Sequence, residues 1–210
     1  MRKYFTSVLL LSILLIADNY LAQEEGDPAA SVVALQGMVI GIGTTGESRE
    51  LSRRDEIRIG ERIETADNAW VQIRFADNAR LTLNCGSSLS LVDYQYLDRN
   101  SDRVALLLHS GRMRTITGAI QRSNYRFATD IAQITVAGTD YEVEVISDTE
   151  NIFGVYDGAI TISNDIDYAN IGLDRAFDFA RVIVGEPPER IPNSPFRISN
   201  TLLSGTQNSC

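Results

Sequence analysis

The 210-residue chain has one lysine (Lys3), one histidine (His109), one tryptophan (Trp70) and two cysteines, Cys85 and Cys210. Two cysteines and one histidine cannot supply the roughly four Cys/His ligands of a zinc cluster. With lysine nearly absent, 18 arginines carry the positive charge, scattered without a basic block, and the net charge is −9. Phosphate contacts need clustered cations, so general nucleic-acid binding is excluded. A lone histidine obliges any Ser-His-Asp or Cys-His site to use His109, and no G-x-S-x-G or comparable nucleophile elbow accompanies it. Amphipathic helical spacing is weak throughout; the best helical stretch, Leu173 to Val184, also fits a turn followed by a strand. The remainder, 44% hydrophobic and 22% charged, is a globular composition long enough to bury one core.

What is present begins with an address. Arg2 and Lys3 precede the nine-residue apolar run Val8–Ile16, which Asp18 and Asn19 end. A membrane span needs about 20 apolar residues, so residues 1–22 read as a secretory signal. Ala17 and Ala22 offer two cleavage positions, and no cysteine follows closely enough for lipid attachment. Removal leaves 17 basic and 27 acidic residues, a net charge of −10, no lysine and no stable membrane span. An oxidising compartment allows Cys85 and Cys210 to pair; the other reading of Cys85 is a small buried hydrophobe on a strand.

From Ser31 onward the dominant period is two. Val71, Ile73 and Phe75 alternate with Gln72 and Arg74; Leu81, Leu83 and Cys85 alternate with Thr82 and Asn84; Tyr141, Val143 and Val145 alternate with Glu142 and Glu144. Turn residues recur every 8–12 positions, as in an all-β domain with one face of each strand buried. One unit repeats after ten residues: Ala66 to Phe75 matches Ala76 to Cys85, aligning Val71 with Leu81 and Ile73 with Leu83. Its Asp77-Asn78 pair tolerates left-handed backbone, so each unit is a turn plus a strand, in a meander or in the rungs of a short solenoid. Asp157-Gly158 carries the signal of a type I′ hairpin. Residues 191–210 read as an extended or disordered tail, since four of five prolines lie from Pro187 onward.

Other motifs carry less. Gly41-Ile42-Gly43-Thr44-Thr45-Gly46 matches G-x-G-x-x-G, but the following residues contain one large apolar side chain, Leu51, where a crossover helix needs a face. A glycine-rich turn is the better account. Asp165-Ile166-Asp167-Tyr168-Ala169-Asn170 lacks the central glycine and distal glutamate of a calcium loop and reads as a solvated acidic loop. Glu142 and Glu144 share the outward side of a strand, where they keep it soluble. No enzyme signal, cofactor site or metal site emerges.

The order of these elements resembles the FecR-type periplasmic domain. Ile57 to Ala66 is similar to its strand entry, Trp70 to Leu83 to its central hairpin, and Leu107 to Arg112 with Thr117-Gly118 to its next segment. The fullest correspondence runs from Tyr125 to Thr129 and from Ile134 through Gly138-Thr139 to Val143, followed by Phe153 to Ile160. Asn78 stands where the family has a turn glycine, Ala137 where it has arginine, and Asp130 where it has proline. The resemblance covers about residues 31–190 and implies an all-β domain, a short antiparallel, solenoid-like strand-turn array, with a β-sandwich as second choice. It implies a periplasmic location and a non-catalytic module for an envelope protein or glycan, with strand-edge assembly as the alternative. Family members anchored in the inner membrane couple a receptor to a sigma factor through a cytoplasmic segment. Only seven residues precede Val8 here, so no direct sigma-factor contact is expected. Asp77, Asn78, Gly111, Gly118, Gly138, Thr139, Asp157 and Gly158 are expected to shape turns. Trp70, Arg74, Arg80, Arg112 and Arg114 offer planar and aromatic faces for carboxylates or sugars.

Overall fold

The computed structural model describes residues 26–97, 101–136, 138–173 and 178–193. Its strands begin with β1 (Pro28–Gln36), β2 (Val39–Ile42), β3 (Ser48–Glu50), β4 (Glu56–Arg58), β5 (Arg62–Thr65) and β6 (Trp70–Phe75). There follow β7 (Arg80–Leu83), β8 (Ser88–Gln95), β9 (Arg103–Ile116), β10 (Tyr125–Thr129), β11 (Gln133–Val136) and β12 (Asp140–Ser147). The last are β13 (Glu150–Asp157), β14 (Ile160–Ser163), β15 (Tyr168–Ile171), β16 (Phe179–Ile183) and β17 (Glu189–Ile191). Among the described residues the helical content is one short turn at Arg122–Asn124, and no helix is long and apolar enough to cross a membrane.

The strands pair into one open, mixed sheet that is not closed into a barrel and folds into two layers sharing β9. Layer A runs β4-β1-β6-β7-β9-β12-β13-β16-β17. Layer B runs β3-β2-β5-β8-β9-β10-β11-β14-β15, and its β9–β10 pair is parallel. The fourteen-residue β9 pairs in layer B up to Ser110 and in layer A from Gly111. Gly111 has φ +78°, and a Cβ there would stand 2.5 Å from the Ser87 Cα, so only glycine makes this bend. The turn expected at Gly111 is instead a bend within one continuous strand.

The layers face each other across one hydrophobic core. Phe75 and Tyr94 stack across it with ring centroids 5.4 Å apart, and Phe127 meets Tyr141 edge-on at 5.9 Å. Fully buried Ile63, Ile73, Leu81, Leu83, Leu89 and Leu108 fill the space between. Each such side chain contributes roughly 1.5–3 kcal/mol by leaving water. The period-two alternation therefore reports burial of one face per strand, as expected.

The chain crosses repeatedly between the layers: β6–β7 pair in A, β8–β9 and β10–β11 in B, β12–β13 in A, β14–β15 in B and β16–β17 in A. This is an antiparallel, solenoid-like array whose layers pack as a sandwich does. The ten-residue repeat is a hairpin within it. Antiparallel pairing sets Val71 opposite Leu83 and Ile73 opposite Leu81. Asn78 takes φ +69° in its turn.

Asp157-Gly158 is not a hairpin turn. β13 pairs with β12 and β16, whereas β14 pairs with β11 and β15. A type I′ turn needs both central residues at positive φ, and of this pair only Gly158, at +81°, has it. The dipeptide is a corner where the chain crosses between layers. Of the Gly41–Gly46 segment, Gly41 and Ile42 end β2 and the rest forms the turn of the β2–β3 hairpin, with no helix after it. The acidic loop joins β14 to β15, where the Asn164 side chain accepts the N–H groups of Ile166 and Asp167 at 3.0 Å. In the Leu173–Val184 stretch, β16 fulfils the turn-plus-strand reading.

Hydroxyl groups stitch successive corners together. At one end of β7, Thr65 Oγ1 accepts the Ser87 N–H at 2.9 Å, and Ser87 Oγ accepts the Arg112 N–H at 2.9 Å. At the other end, Asp77 O accepts the Ala119 N–H at 3.1 Å. Beyond it Thr139 N–H donates to Thr117 Oγ1 at 2.8 Å, and Thr139 Oγ1 donates to Ala159 O at 3.0 Å. These bonds satisfy backbone groups that leave the sheet ladder at each crossing.

Candidate partner-binding face

Alternation on β6, β7 and β9 turns Val71, Ile73, Phe75, Leu81, Leu83 and Met113 inward. Trp70, Arg74, Arg80, Arg112 and Arg114 consequently share the outward side of layer A. Register orders them in rows: Arg74 stands opposite Arg80, Arg114 lies between Thr82 and Glu142, and Arg112 opposes Glu144. Trp70 borders β1, where its Nε1 donates to Gln36 Oε1 at 3.3 Å.

Structure divides the five residues into two groups. Arg112 and Arg114 are not open cations. The Arg112 Nε donates to Glu142 Oε1, and the Tyr156 hydroxyl donates to Glu142 Oε2. Arg114 holds Asp140 with two parallel bonds, Nε to Oδ1 and Nη2 to Oδ2, each 2.8 Å. Its guanidinium lies 3.9 Å from the centroid of the Tyr156 ring. Glu142, expected to be a solubilising residue, is fully buried beneath this network. β12 sets its outward carboxylates beside the outward arginines of β9, and each pair neutralises itself. Burial, then the Glu142 hydrogen bond and charge, push the Tyr156 hydroxyl well above the usual phenol range. Burial also raises the Glu144 carboxyl, against the pull of Arg112 and with the push of Glu142.

Arg74 and Arg80 differ. Both are exposed, directly opposed across the β6–β7 hairpin, and neither has an ion pair among the described residues. Opposed like charges are unfavourable in a sheet, and a bound anionic group would offset this. Trp70 and Gln72 extend the same surface along β6.

The turn-forming residues sit at the corners. Asp77 is buried, its Oδ1 accepting the Ala79 N–H at 3.2 Å, and its backbone N–H donates to the Tyr94 hydroxyl at 2.9 Å. Gly118 packs against the backbone of Asp77 and Ala79. Gly158 lies against Gly138, where a Cβ would approach the Gly138 carbonyl to 2.5 Å. Cys85 follows β7 and is disulfide-bonded. Cys210, Ala137, the signal segment and residues 194–210 of the tail lie outside the described residues.

One cluster was not anticipated. On the outward side of layer B, Ser90 Oγ and His109 Nε2 are 2.9 Å apart, and His109 Nδ1 is 4.0 Å from Asp130 Oδ1. The residue types are those of a charge relay, but the arrangement is not. Asp130 is exposed and too distant to orient the ring, and Ser90 lies in a regular strand, not on a strained elbow. Pairing of β8 with β9, remote in sequence pattern, brings them together. Asp140, Glu142 and Tyr156 were missed as partners of the arginines for a similar reason: alternation gives the outward side but not the neighbouring strand.

A search of curated proteins finds no match to the chain. Among solved structures, two crystal structures of a proposed anti-sigma factor from Parabacteroides distasonis are similar, one at 15% identity and one at 14%, both with TM-score 0.49. Each match covers 62% of this chain and 59% of that protein. A protein described as a cell surface anchoring domain matches 30% of this chain and 83% of its own length, at 27% identity and TM-score 0.29. Residues 61–161, from the end of β4 to β14, match the FecR protein family. That segment, which holds all five outward residues of β6, β7 and β9, is identified by this match as a FecR-type domain.

Proposed function

We propose that this chain is an exported, non-catalytic FecR-type module that binds an envelope partner, protein or glycan, in cell-envelope signalling. The FecR domain supports a regulatory role in the envelope, and the exposed Arg74–Arg80 pair supports an anionic contact on the partner. The pair is the single observation that carries the reading. Two exposed arginines, opposed in register and without an ion pair among the described residues, suit bidentate recognition of carboxylates. Trp70 adds an aromatic edge for a sugar ring or an apolar side chain. A photo-crosslinker at Gln72, tested in cells, should capture a discrete partner that disappears from Arg74→Ala/Arg80→Ala. Capture unchanged in the double variant overturns this site.

A second reading, strand-edge assembly, draws on β15. At the opposite end of layer B, edge strand β3 is charged and exposed, Ser48-Arg49-Glu50, which deters pairing. β15 instead exposes Tyr168, with exposed Ile166 before the strand and exposed Leu173 after it. Sedimentation of the purified protein tests it: association that Tyr168→Lys abolishes favours assembly, and a monomer at high concentration rejects it.

A further inference from the structure

The outward side of layer B carries short side chains where β9 and β10 run parallel. Ala105 stands level with Arg126, and Leu107 with Ala128. Longer side chains flank this floor along the strands, Arg103 and Arg126 toward one end, His109 and Asp130 toward the other. Two open clefts follow it. One of about 430 Å³ is lined by Ala105, Asn124 and Arg126, and one of about 320 Å³ by Ala128, Asp130, Gln133 and Asp165. Arg126 and Ala128 are two residues apart on β10, about 7 Å, so the clefts adjoin.

Charge is unequal along this depression. In the first cleft Asp93 is held by Arg103 and Asp102 by the Leu97 N–H, while Arg126 has no ion pair among the described residues. In the second, Asp165 has none either, and Asp130 meets only His109 Nδ1, at 4.0 Å. One end is cationic and the other anionic, about 13 Å apart from Arg126 to Asp130. Shape and lining then select among ligands that carry both charges. β9 and β10 have strands on both sides here, so no free edge is offered to a peptide backbone. Open clefts rimmed by Asn124, Gln133 and Ser163 lack the apolar enclosure of a site for small hydrophobic ligands. Hydroxyls and amides around a short apolar floor suit sugar rings, which present an apolar face and polar edges.

We propose that the β9–β10 depression binds a zwitterionic oligosaccharide, its carboxylate on Arg126 and its ammonium group at Asp130 and Asp165. The guanidinium takes the carboxylate with paired bonds, and the aspartates accept from the ammonium. The sugar rings lie over Ala105, Leu107 and Ala128. This site is on the opposite layer from Arg74 and Arg80 and does not rest on the reading of that pair.

The probe is an alternating glucuronate–glucosamine tetrasaccharide with free amines, titrated into the isotope-labelled full-length protein. Amide resonances of Ala105, Leu107 and Ala128 should shift and saturate. N-acetylation of the probe should weaken binding at least about fivefold, because the charge-assisted bonds to the aspartates are lost. Asp130→Asn/Asp165→Asn should weaken the free-amine probe by a similar factor and leave the acetylated probe unchanged, whereas Arg126→Ala should weaken both. All three positions are exposed, so the variants keep the fold, which far-UV circular dichroism checks. No shift at roughly millimolar probe overturns the site, and so does equal affinity for the acetylated form or binding undiminished by Arg126→Ala. Shifts confined to β6 and β7 assign the sugar to the Arg74–Arg80 face and overturn it as well.

Discussion

The Arg114 guanidinium grips both oxygens of Asp140 at 2.8 Å while its face lies 3.9 Å from the centre of the Tyr156 ring. Tyr156 in turn donates its hydroxyl to Glu142, so β9, β12 and β13 are tied on their outward side by one charged network. A buried network of this kind adds little net stability over a well-packed apolar one, but it is costly to break.

Removing Glu142 tests that cost. Glu142→Ala leaves the buried Arg112 guanidinium without this carboxylate and the Tyr156 hydroxyl without its acceptor. A loss of roughly 3–5 kcal/mol is expected, read from urea denaturation midpoints. Arg114→Lys keeps the charge but loses the paired bonds and the stacking, and should cost roughly 1–2 kcal/mol. Equal, negligible effects would show that solvent already satisfies these groups.

The corner glycines should rank by their neighbours. Gly138 has φ +62° with open space around its Cβ position, so Gly138→Ala carries mainly the backbone penalty, roughly 1–2 kcal/mol. Gly158→Ala adds a 2.5 Å approach to the Gly138 carbonyl and should cost clearly more. Comparison of the two thermal midpoints decides the order.

Thr139 acts through its hydroxyl, which is buried between two corners. Thr139→Val keeps the shape and leaves the Ala159 carbonyl short of one donor; a loss of roughly 1–2 kcal/mol is expected. Thr139→Ser should recover most of it, which a purely steric role would not allow.

Alkaline pH should unfold the protein through its tyrosines. Burial pushes the Tyr125 hydroxyl up to about 12, and Tyr94, Tyr141 and Tyr156 are raised as well, burial again foremost. The unfolded chain releases these protons near the ordinary value of 10, whereas the folded chain holds them. Stability is therefore full below pH 10 and falls as pH rises toward 12. Urea midpoints measured from pH 8 to 12 should show the fall, and Tyr125→Phe should make it shallower.

Much of the fold was legible because a strand declares its buried face every second residue. Val71-Ile73-Phe75 and Tyr141-Val143 are as buried as their period implied. Partners were not legible: the repeat shows which positions are equivalent, not which face each other, and hairpin pairing sets Val71 against Leu83. Asp157-Gly158 has the composition of a hairpin turn, yet its backbone serves a crossing because Gly138 and Gly172 pack against it. The five candidate residues were named together from their chemistry; that they share one side of layer A, and that carboxylates hold two of them, came from strand pairing. Local alternation carries no record of which strand lies alongside.

The sequence by itself determined an all-β chain, its inward residues and the glycine positions where the backbone must bend, because these follow from side-chain period and steric limits within a few residues. Only the tertiary structure decided that β9 belongs to both layers, that Arg112 and Arg114 meet Glu142 and Asp140, and that Arg74 and Arg80 are left facing each other. Those outcomes depend on register between strands distant along the chain. The arginines thus divide on one surface: on the outward side of layer A, Arg112 and Arg114 are held by carboxylates, whereas Arg74 and Arg80 are exposed.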